Sequence, residues 1–319
     1  MRNNPTTLII AGSKYHKEMV TNILKKNDEY LIKDLNSKSD LSNSIIYFIG
    51  GQGPKLYKYM KLWVSKRNLL IVHWIGTDVL DFMHSYKDRK LYEQIYHRVL
   101  TIFVRYKYNN GTLIHLAVTP WLVDELETVG IKAKYFPLTS INTENLKTFT
   151  NIAQKDIDII SYVPYTKFNF YGGPEIIKLA KELPDYRFFL IHSDLDEITP
   201  NVNQNYPPNV IASPKIEFKN MQKLYSRSKL FLRLTEHDGL SLSVLEALFY
   251  KLHVFWTYPF PKTYQIKDYE SLKLNIIRSI ENWTPNEEGY EYVKKNYNIE
   301  KWEEQFKEII DNIIMNRPK

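Results

Sequence analysis

Residues 229–257 read K-L-F-L-R-L (229–234), T-E-H (235–237), D-G-L-S-L-S-V-L-E (238–246) and A-L-F-Y-K-L-H-V-F-W-T (247–257). The first run is a hydrophobic strand, and Val244, Leu245, Ala247, Leu248 and Phe249 continue as a helix with an apolar face. The Asp238-Gly239 pair breaks the strand, and the serines suit a helix start. Two carboxylates, Asp238 and Glu246, therefore bracket a small polar turn. A strand-to-helix turn of this kind aims free backbone N–H groups and the positive end of the helix dipole at one spot, which suits an anion such as a phosphate.

The pattern around this segment repeats along the chain. In the first half, residues 8–11, 45–49, 69–72 and 113–118 are short apolar runs that read as buried parallel strands. Between them, residues 55–66, 88–100 and 121–129 have helical spacing, and Gly130 suits a helix stop. After a polar segment at 139–155 the alternation restarts, with strands expected at 157–163, 186–191 and 229–234 and helices at 174–183 and 221–225. A β/α alternation of this length predicts doubly wound parallel sheets. Ligands of such sheets bind beyond the carboxyl ends of the strands, so loops lining a cleft between the two halves are the expected site.

The chain has 319 residues, which is more than one core usually serves, so two domains of about 150 residues are expected. The boundaries fall at 1–150, 151–298 and a final amphipathic helix within 299–319, with Trp302, Phe306, Ile309, Ile310 and Ile313 on one face. Hydrophobic content of 44% and charged content of 25% are those of a soluble globular protein. No apolar run reaches the length of a membrane span and no signal-peptide core is seen, so a cytoplasmic location is expected. Cysteine is absent, which excludes disulfides, thiolate nucleophiles and iron–sulfur clusters. The Asn110 and Asn282 glycosylation patterns are read as chance matches. The net charge of +7 is compatible with phosphate-bearing partners, nucleic acid or an anionic membrane, and does not choose among them.

The segment Asp238-Gly239 through Leu245-Glu246-Ala247 resembles the acidic signature of retaining, nucleotide-sugar-dependent glycosyltransferases of the GT-B type, group 1 or family 4-like. Those enzymes carry Glu, seven residues, Glu, with Gly after the first acid and Leu-Glu-Ala at the second. Asp238 stands at the first position, one methylene shorter than Glu. The resemblance implies two Rossmann-like doubly wound parallel-sheet domains facing a central cleft, the last helix crossing back to the first domain. It also implies roles. Glu246 would accept hydrogen bonds from the nucleotide ribose, Asp238 would contact hydroxyls of the transferred sugar, and backbone around Gly239, Leu240, Ser241 and Leu242 would hold the diphosphate, with His237 beside them. Such families place an Arg and a Lys in the loop after the first strand of the second half to neutralise the leaving diphosphate. Here Lys167 is present in that loop and the arginine is not. Arg233, within strand 229–234, could supplement the lysine, but it is assigned no role from sequence.

In the first half, I-V-H-W-I-G-T-D-V (71–79) clusters His73, Gly76, Thr77 and Asp78 at a strand end. It resembles an H-x-x-G-x-D loop of the same enzymes, which implies His73 as a catalytic or orienting group and Gly76, Thr77 and Asp78 as acceptor-side residues. Gly51, in G-G-Q-G (50–53), should line the same cleft; the spacing is neither that of a dinucleotide fingerprint nor of a P-loop. Gly172-Gly173-Pro174 reads as a close-approach turn into a helix. Residues 55–67 read as a basic amphipathic helix ending at Arg67, with Lys55, Lys58 and Lys61 on one side and Leu56, Met60, Trp63 and Val64 on another. Such a helix could lie on an anionic bilayer, although packing on the sheet explains the same pattern. Asp194-Leu-Asp196 and Asp156-Ile-Asp158 spell D-x-D, the metal motif of the other glycosyltransferase fold; both are read as ordinary loop and strand-start acids, and no metal or cofactor is expected.

The leading expectation is a retaining glycosyltransferase that moves a sugar from a nucleoside diphosphate sugar to a hydroxyl acceptor, with a lipid-linked glycan or polysaccharide precursor as the acceptor class. A nucleotide-sugar 2-epimerase on the same fold and a non-catalytic basic binding protein are the alternatives. No nucleic-acid motif supports the last.

Overall fold

A computed structural model describes residues 5–33, 41–50, 68–84, 112–138, 155–193 and 206–315. The helices expected at 55–66 and 88–100, the basic segment 55–67, Gly51, Asp194 and Asp196 lie outside the described residues. The chain divides into two compact units, Met1–Ser140 together with Ile299–Lys319, and Ile141–Asn298.

The first unit runs β1 (Thr6–Gly12), α1 (Lys14–Leu24), β2 (Tyr30–Ile32), β3 (Ile45–Ile49), β4 (Leu69–Trp74), α2 (Thr77–His84), β5 (Leu113–Ala117), α3 (Pro120–Thr128) and β6 (Ala133–Tyr135). Its strands pair in parallel in the order β2-β1-β3-β4-β5-β6. Every residue of β3 and β4 is buried. Both faces of these central strands are covered, which is why they read as unbroken apolar runs rather than as alternating ones.

The second unit runs β7 (Ile157–Tyr162), a 3-10 turn (Tyr165–Lys167), α4 (Gly173–Glu182), β8 (Phe188–Ile191), β9 (Val210–Ser213), α5 (Phe218–Arg227), β10 (Ser228–Arg233), α6 (Leu242–Phe249), β11 (His253–Trp256), β12 (Tyr264–Gln265), α7 (Tyr269–Glu281) and α8 (Glu287–Asn296). The sheet order is β12-β11-β10-β7-β8-β9, again parallel throughout. Its first strand, β7, lies at the centre; β8 and β9 add to one side, β10 to β12 to the other. The winding direction reverses between β7 and β10, and that reversal is the switch point at which open parallel sheets bind ligands. Ile159, Ile176, Phe188, Leu232, Phe255 and Ile276 are among the residues that close the core beneath it.

The last helix, α9 (Ile299–Met315), belongs to the first unit. Trp302, Phe306, Ile310 and Ile313 form its buried stripe. The Phe306 ring meets Tyr47 at 5.4 Å and Tyr30 at 5.8 Å, and Trp302 meets Phe136 at 5.6 Å between ring centroids. Lys307 adds an exposed ion pair with Glu29, which contributes little. Because Phe306 is fully buried among aromatic rings, F306A is expected to cost about 3–5 kcal/mol, read as a lowered midpoint in urea denaturation. A loss below about 1 kcal/mol, the scale of a well-tolerated swap, would contradict this packing. Among the described residues no helix is long and apolar enough to cross a membrane.

Candidate active site

The carboxyl ends of β7 and β10 lie side by side at the switch point of the second unit. The loop after β7 carries Lys167 and Tyr171; the loop after β10 carries Asp238. The two loops are tied together. The Glu236 amide donates to the Phe170 carbonyl at 3.0 Å, and Gly172 packs directly on Leu234. With φ at +64°, Gly172 adopts a left-handed backbone, and a Cβ there would lie 2.3 Å from the Leu234 Cβ. Only glycine satisfies both conditions. The Thr235 amide donates to the Thr257 hydroxyl at 3.1 Å, and the Thr235 hydroxyl to the His237 carbonyl at 3.0 Å. Lys167 ends the 3-10 turn as an exposed cation, its ammonium 5.4 Å from the Phe170 ring centroid.

Arg233, the last residue of β10, points its guanidinium at Asp238. Its Nε and Nη2 donate to the two carboxylate oxygens at 2.5 and 3.0 Å, a bidentate fork. Both side chains are largely buried, with 8% and 13% exposure. The guanidinium carbon also lies 5.3 Å from the Tyr171 ring centroid. Burial opposes the charge on Arg233, and the facing Asp238 carboxylate outweighs it, so the guanidinium is held in its charged form more firmly than usual. The sequence reading assigned Arg233 no role; the structure makes it the immediate partner of Asp238.

Glu246 lies in the middle of α6 and is 7% exposed. Desolvation pushes its carboxyl up to about 7, with a smaller lowering from the Tyr225 hydroxyl. That hydroxyl faces the carboxyl without closing a hydrogen bond of standard geometry. A carboxylate in this setting gains from donors brought to it, and the vicinal hydroxyls of a sugar ring are such donors.

Helix α6 begins at the Ser241 cap, whose backbone is extended and whose side chain bonds the Ser243 hydroxyl at 2.8 Å rather than capping the helix. The first-turn amides of a helix have no intrahelical partner, so Leu242 and its neighbours present donors and a positive dipole end. Gly239 and Ser241 are buried and Leu240 half-buried. His237 is buried next to Asp238, its ring edge-on to Tyr258 at 6.4 Å. Cations, amide donors and an acid acceptor are thus supplied by adjoining loops and one helix, a set able to hold a phosphate and a polyhydroxylated ring.

The structure corrects the reading of His73. It is fully buried in β4. Its Nε2 donates to the Phe136 carbonyl at 2.9 Å, which leaves Nδ1 to accept from the Tyr47 hydroxyl at 2.6 Å. Desolvation lowers its imidazole to about 3, so it stays neutral with both nitrogens committed inside the core. It has no means of orienting a substrate. Asp78 likewise folds back to accept the Ile75 and Gly76 amides, Gly76 at 2.7 Å, which shapes the start of α2. Gly76 is buried and Thr77 exposed. His73 and Asp78 therefore serve separate structural tasks.

The described D-x-D acids are also structural. Asp156 pairs with Arg227 and Asp158 with Lys229 at 2.8 Å, at the amino end of β7, opposite to the switch point. Among the described residues no group of three or more His, Asp or Glu could hold a metal ion.

Compared with models of known protein families and with curated proteins, the sequence matches none. The fold has many solved counterparts. Sucrose-phosphate synthase from Thermosynechococcus elongatus is similar with a TM-score of 0.72 and 10% identity, covering 97% of this chain and 99% of that one. A glycosyltransferase from Rickettsia africae gives 0.65 and 12% identity over 99% and 100%. The pneumococcal O-GlcNAc transferase GtfA, solved with UDP and GlcNAc, gives 0.54 and 14% identity over 86% of this chain and 57% of that one. Two parallel six-stranded sheets, each with its helices, and these neighbours together identify the chain as a protein of the GT-B glycosyltransferase fold.

Proposed function

We propose that the protein is a retaining glycosyltransferase that moves a sugar from a nucleoside diphosphate sugar to a hydroxyl acceptor. The observation that carries this reading is the placement of Glu246, the amino end of α6 and Lys167 around one switch point. Glu246 accepts the ribose hydroxyls, the 240–242 backbone holds the diphosphate, and Lys167 meets its charge. That GtfA was solved with UDP and GlcNAc supports a donor of this class.

In the reaction the bond between the anomeric carbon and the diphosphate oxygen breaks, and the electron pair leaves with the diphosphate. The acceptor oxygen bonds to the anomeric carbon on the same face, and its proton passes to a diphosphate oxygen. The chain's own contribution is positioning and stabilisation of the leaving charge, without a metal. A lipid-linked glycan or polysaccharide precursor is proposed as the acceptor, on the strength of the basic pattern at 55–67.

The test is incubation with UDP-, GDP- and ADP-sugars and candidate acceptors, following nucleoside diphosphate release and the anomeric configuration of the product by NMR. The expected result is release dependent on one base, with retained configuration. An inverted product would overturn the stereochemical assignment, and isomerised donor without transfer would favour the epimerase.

A further inference from the structure

We infer that Arg233 is the guanidinium that receives the charge of the leaving diphosphate, and that Asp238 serves it by fixing the fork rather than by contacting the transferred sugar. The inference rests on the donor reading above. It starts from a deficit: the loop after β7, V-P-Y-T-K-F-N-F-Y-G (163–172), holds one cation, Lys167, and that cation is exposed. A leaving diphosphate with more than one negative charge calls for more than one solvated ammonium, because preorganised donors out of water stabilise developing charge best.

Arg233 meets that need from a neighbouring strand. It ends β10 at the switch point, and its side chain is 8% exposed. A guanidinium has five N–H donors. Asp238 takes Nε–H and one N–H of Nη2, which lie along one edge of the plane. The donors of Nη1 and the second donor of Nη2 lie along the others; the Tyr171 side chain also bonds the guanidinium, and the rest are left for a ligand. The Tyr171 ring at 5.3 Å, from the β7 loop, flanks the group. The backbone bond from Glu236 to Phe170 and the contact of Gly172 with Leu234 hold both flanks in register. The fork is therefore oriented before any ligand arrives, which a lysine in its place could not achieve.

The same geometry reassigns Asp238. Both of its oxygens accept from Arg233, so the carboxylate is held facing the guanidinium. Its short side chain reaches the guanidinium edge-on from five residues further along the chain. A buried pair of this kind adds little to stability on balance, and its use lies in holding the arginine. When the glycosidic bond breaks, the electron pair stays on the diphosphate oxygen, where the Arg233 N–H groups meet it. The acceptor's proton ends on the diphosphate; Asp238 remains ionised and exchanges none. Arg233 is thus the catalytic residue of the pair and Asp238 a positioning residue.

The experiment compares wild type, R233Q, R233K, D238N and R233Q/D238N, each titrated calorimetrically with UDP, GDP, ADP and their monophosphates and assayed for transfer. R233Q should weaken the selected diphosphate by about tenfold or more and leave its monophosphate within about twofold, with turnover falling about 100-fold. D238N should lower kcat about tenfold while the donor KM stays within about threefold, and R233Q/D238N should be no slower than R233Q alone. R233K keeps the charge without the fork; it should recover the diphosphate preference and not the rate, which carries the test if R233Q melts early. The inference is overturned if R233Q keeps the preference for diphosphate over monophosphate, or if the losses of R233Q and D238N multiply in the double variant, since Asp238 would then act on its own. If the wild type transfers sugar and these variants are unimpaired, the donor reading stands and this assignment falls. If the wild type binds no nucleoside diphosphate, the donor reading falls and takes this assignment with it.

Discussion

Glu246→Gln is expected to make the protein more stable at pH 8 and a markedly poorer binder of its nucleotide. In the fold, burial raises this carboxyl from 4.5 to about 7. Its contribution to stability is fully present below 4.5, is lost progressively as pH rises through that window, and is gone above about 7, where the fold carries a buried negative charge. The loss amounts to about 3 kcal/mol at pH 8. A neutral amide of the same shape escapes it, so E246Q should melt higher than wild type at pH 8, with a difference that shrinks toward pH 4.5. Ligand binding should move the other way. Ribose hydroxyls donating to the charged carboxylate are worth about 1.5–3 kcal/mol each, so E246A should bind the nucleoside diphosphate roughly 100-fold more weakly or worse and E246Q about tenfold more weakly. Wild-type affinity should also fall toward tenfold per pH unit below about 7, a steeper dependence than in E246Q, where only the terminal phosphate of the ligand still titrates. Melting curves and calorimetric titrations between pH 5 and 8.5 read all three effects. A Gln variant less stable than wild type at pH 8 would show that the carboxylate is compensated in the fold.

Gly172→Ala is expected to cost about 2–5 kcal/mol, combining the left-handed backbone penalty with forced displacement of Leu234. The damage should not stop at stability. Leu234 follows Arg233 directly, and Glu236 is bonded to the same β7 loop, so displacing Leu234 moves Arg233 and the turn leading to Asp238. Transfer should therefore fall further than the population of unfolded protein explains. Pairing G172A with L234G removes the Cβ–Cβ clash but not the backbone strain, so the double variant should lose less stability than the two single losses added together. Urea denaturation and transfer rates measured on the three variants decide this; a neutral G172A would mean that the two loops are not in contact.

Much of this architecture was legible in the residues. The run at 45–49 is apolar throughout because both faces of its strand are covered, the run at 157–163 is apolar apart from Asp158 and Ser161, and the structure places β3 and β7 there. The strand, turn and helix at 229–249 were legible because Gly239 and the serines punctuate them. The short strands β2, β6, β9 and β12 were not, since edge strands of two to four residues, partly exposed, carry too little alternation to stand out. At the site, the acids Asp238 and Glu246 were visible as a spacing, but spacing says nothing of partners. Arg233 reads as one charge in an apolar strand, and its role emerges only when the chain turns back and brings Asp238 onto its fork. A charged residue closing a buried strand just before an Asp-Gly turn is the signal that could have found it. His73 misled for the opposite reason. Its neighbours suggested a cleft loop, whereas β4 extends one residue past it, to Trp74, and buries it against Tyr47 and Phe136 from other elements.

The central claim is that the switch point of the second unit holds a nucleoside diphosphate with Glu246 on its ribose. Calorimetric titration of wild type and E246A with UDP, GDP and ADP at pH 8 tests it most directly. One of these diphosphates is expected to bind the wild type one-to-one at micromolar concentration, and to bind E246A roughly 100-fold more weakly or worse. A diphosphate that binds E246A as tightly as wild type, or a wild type that binds none of the three, would contradict it.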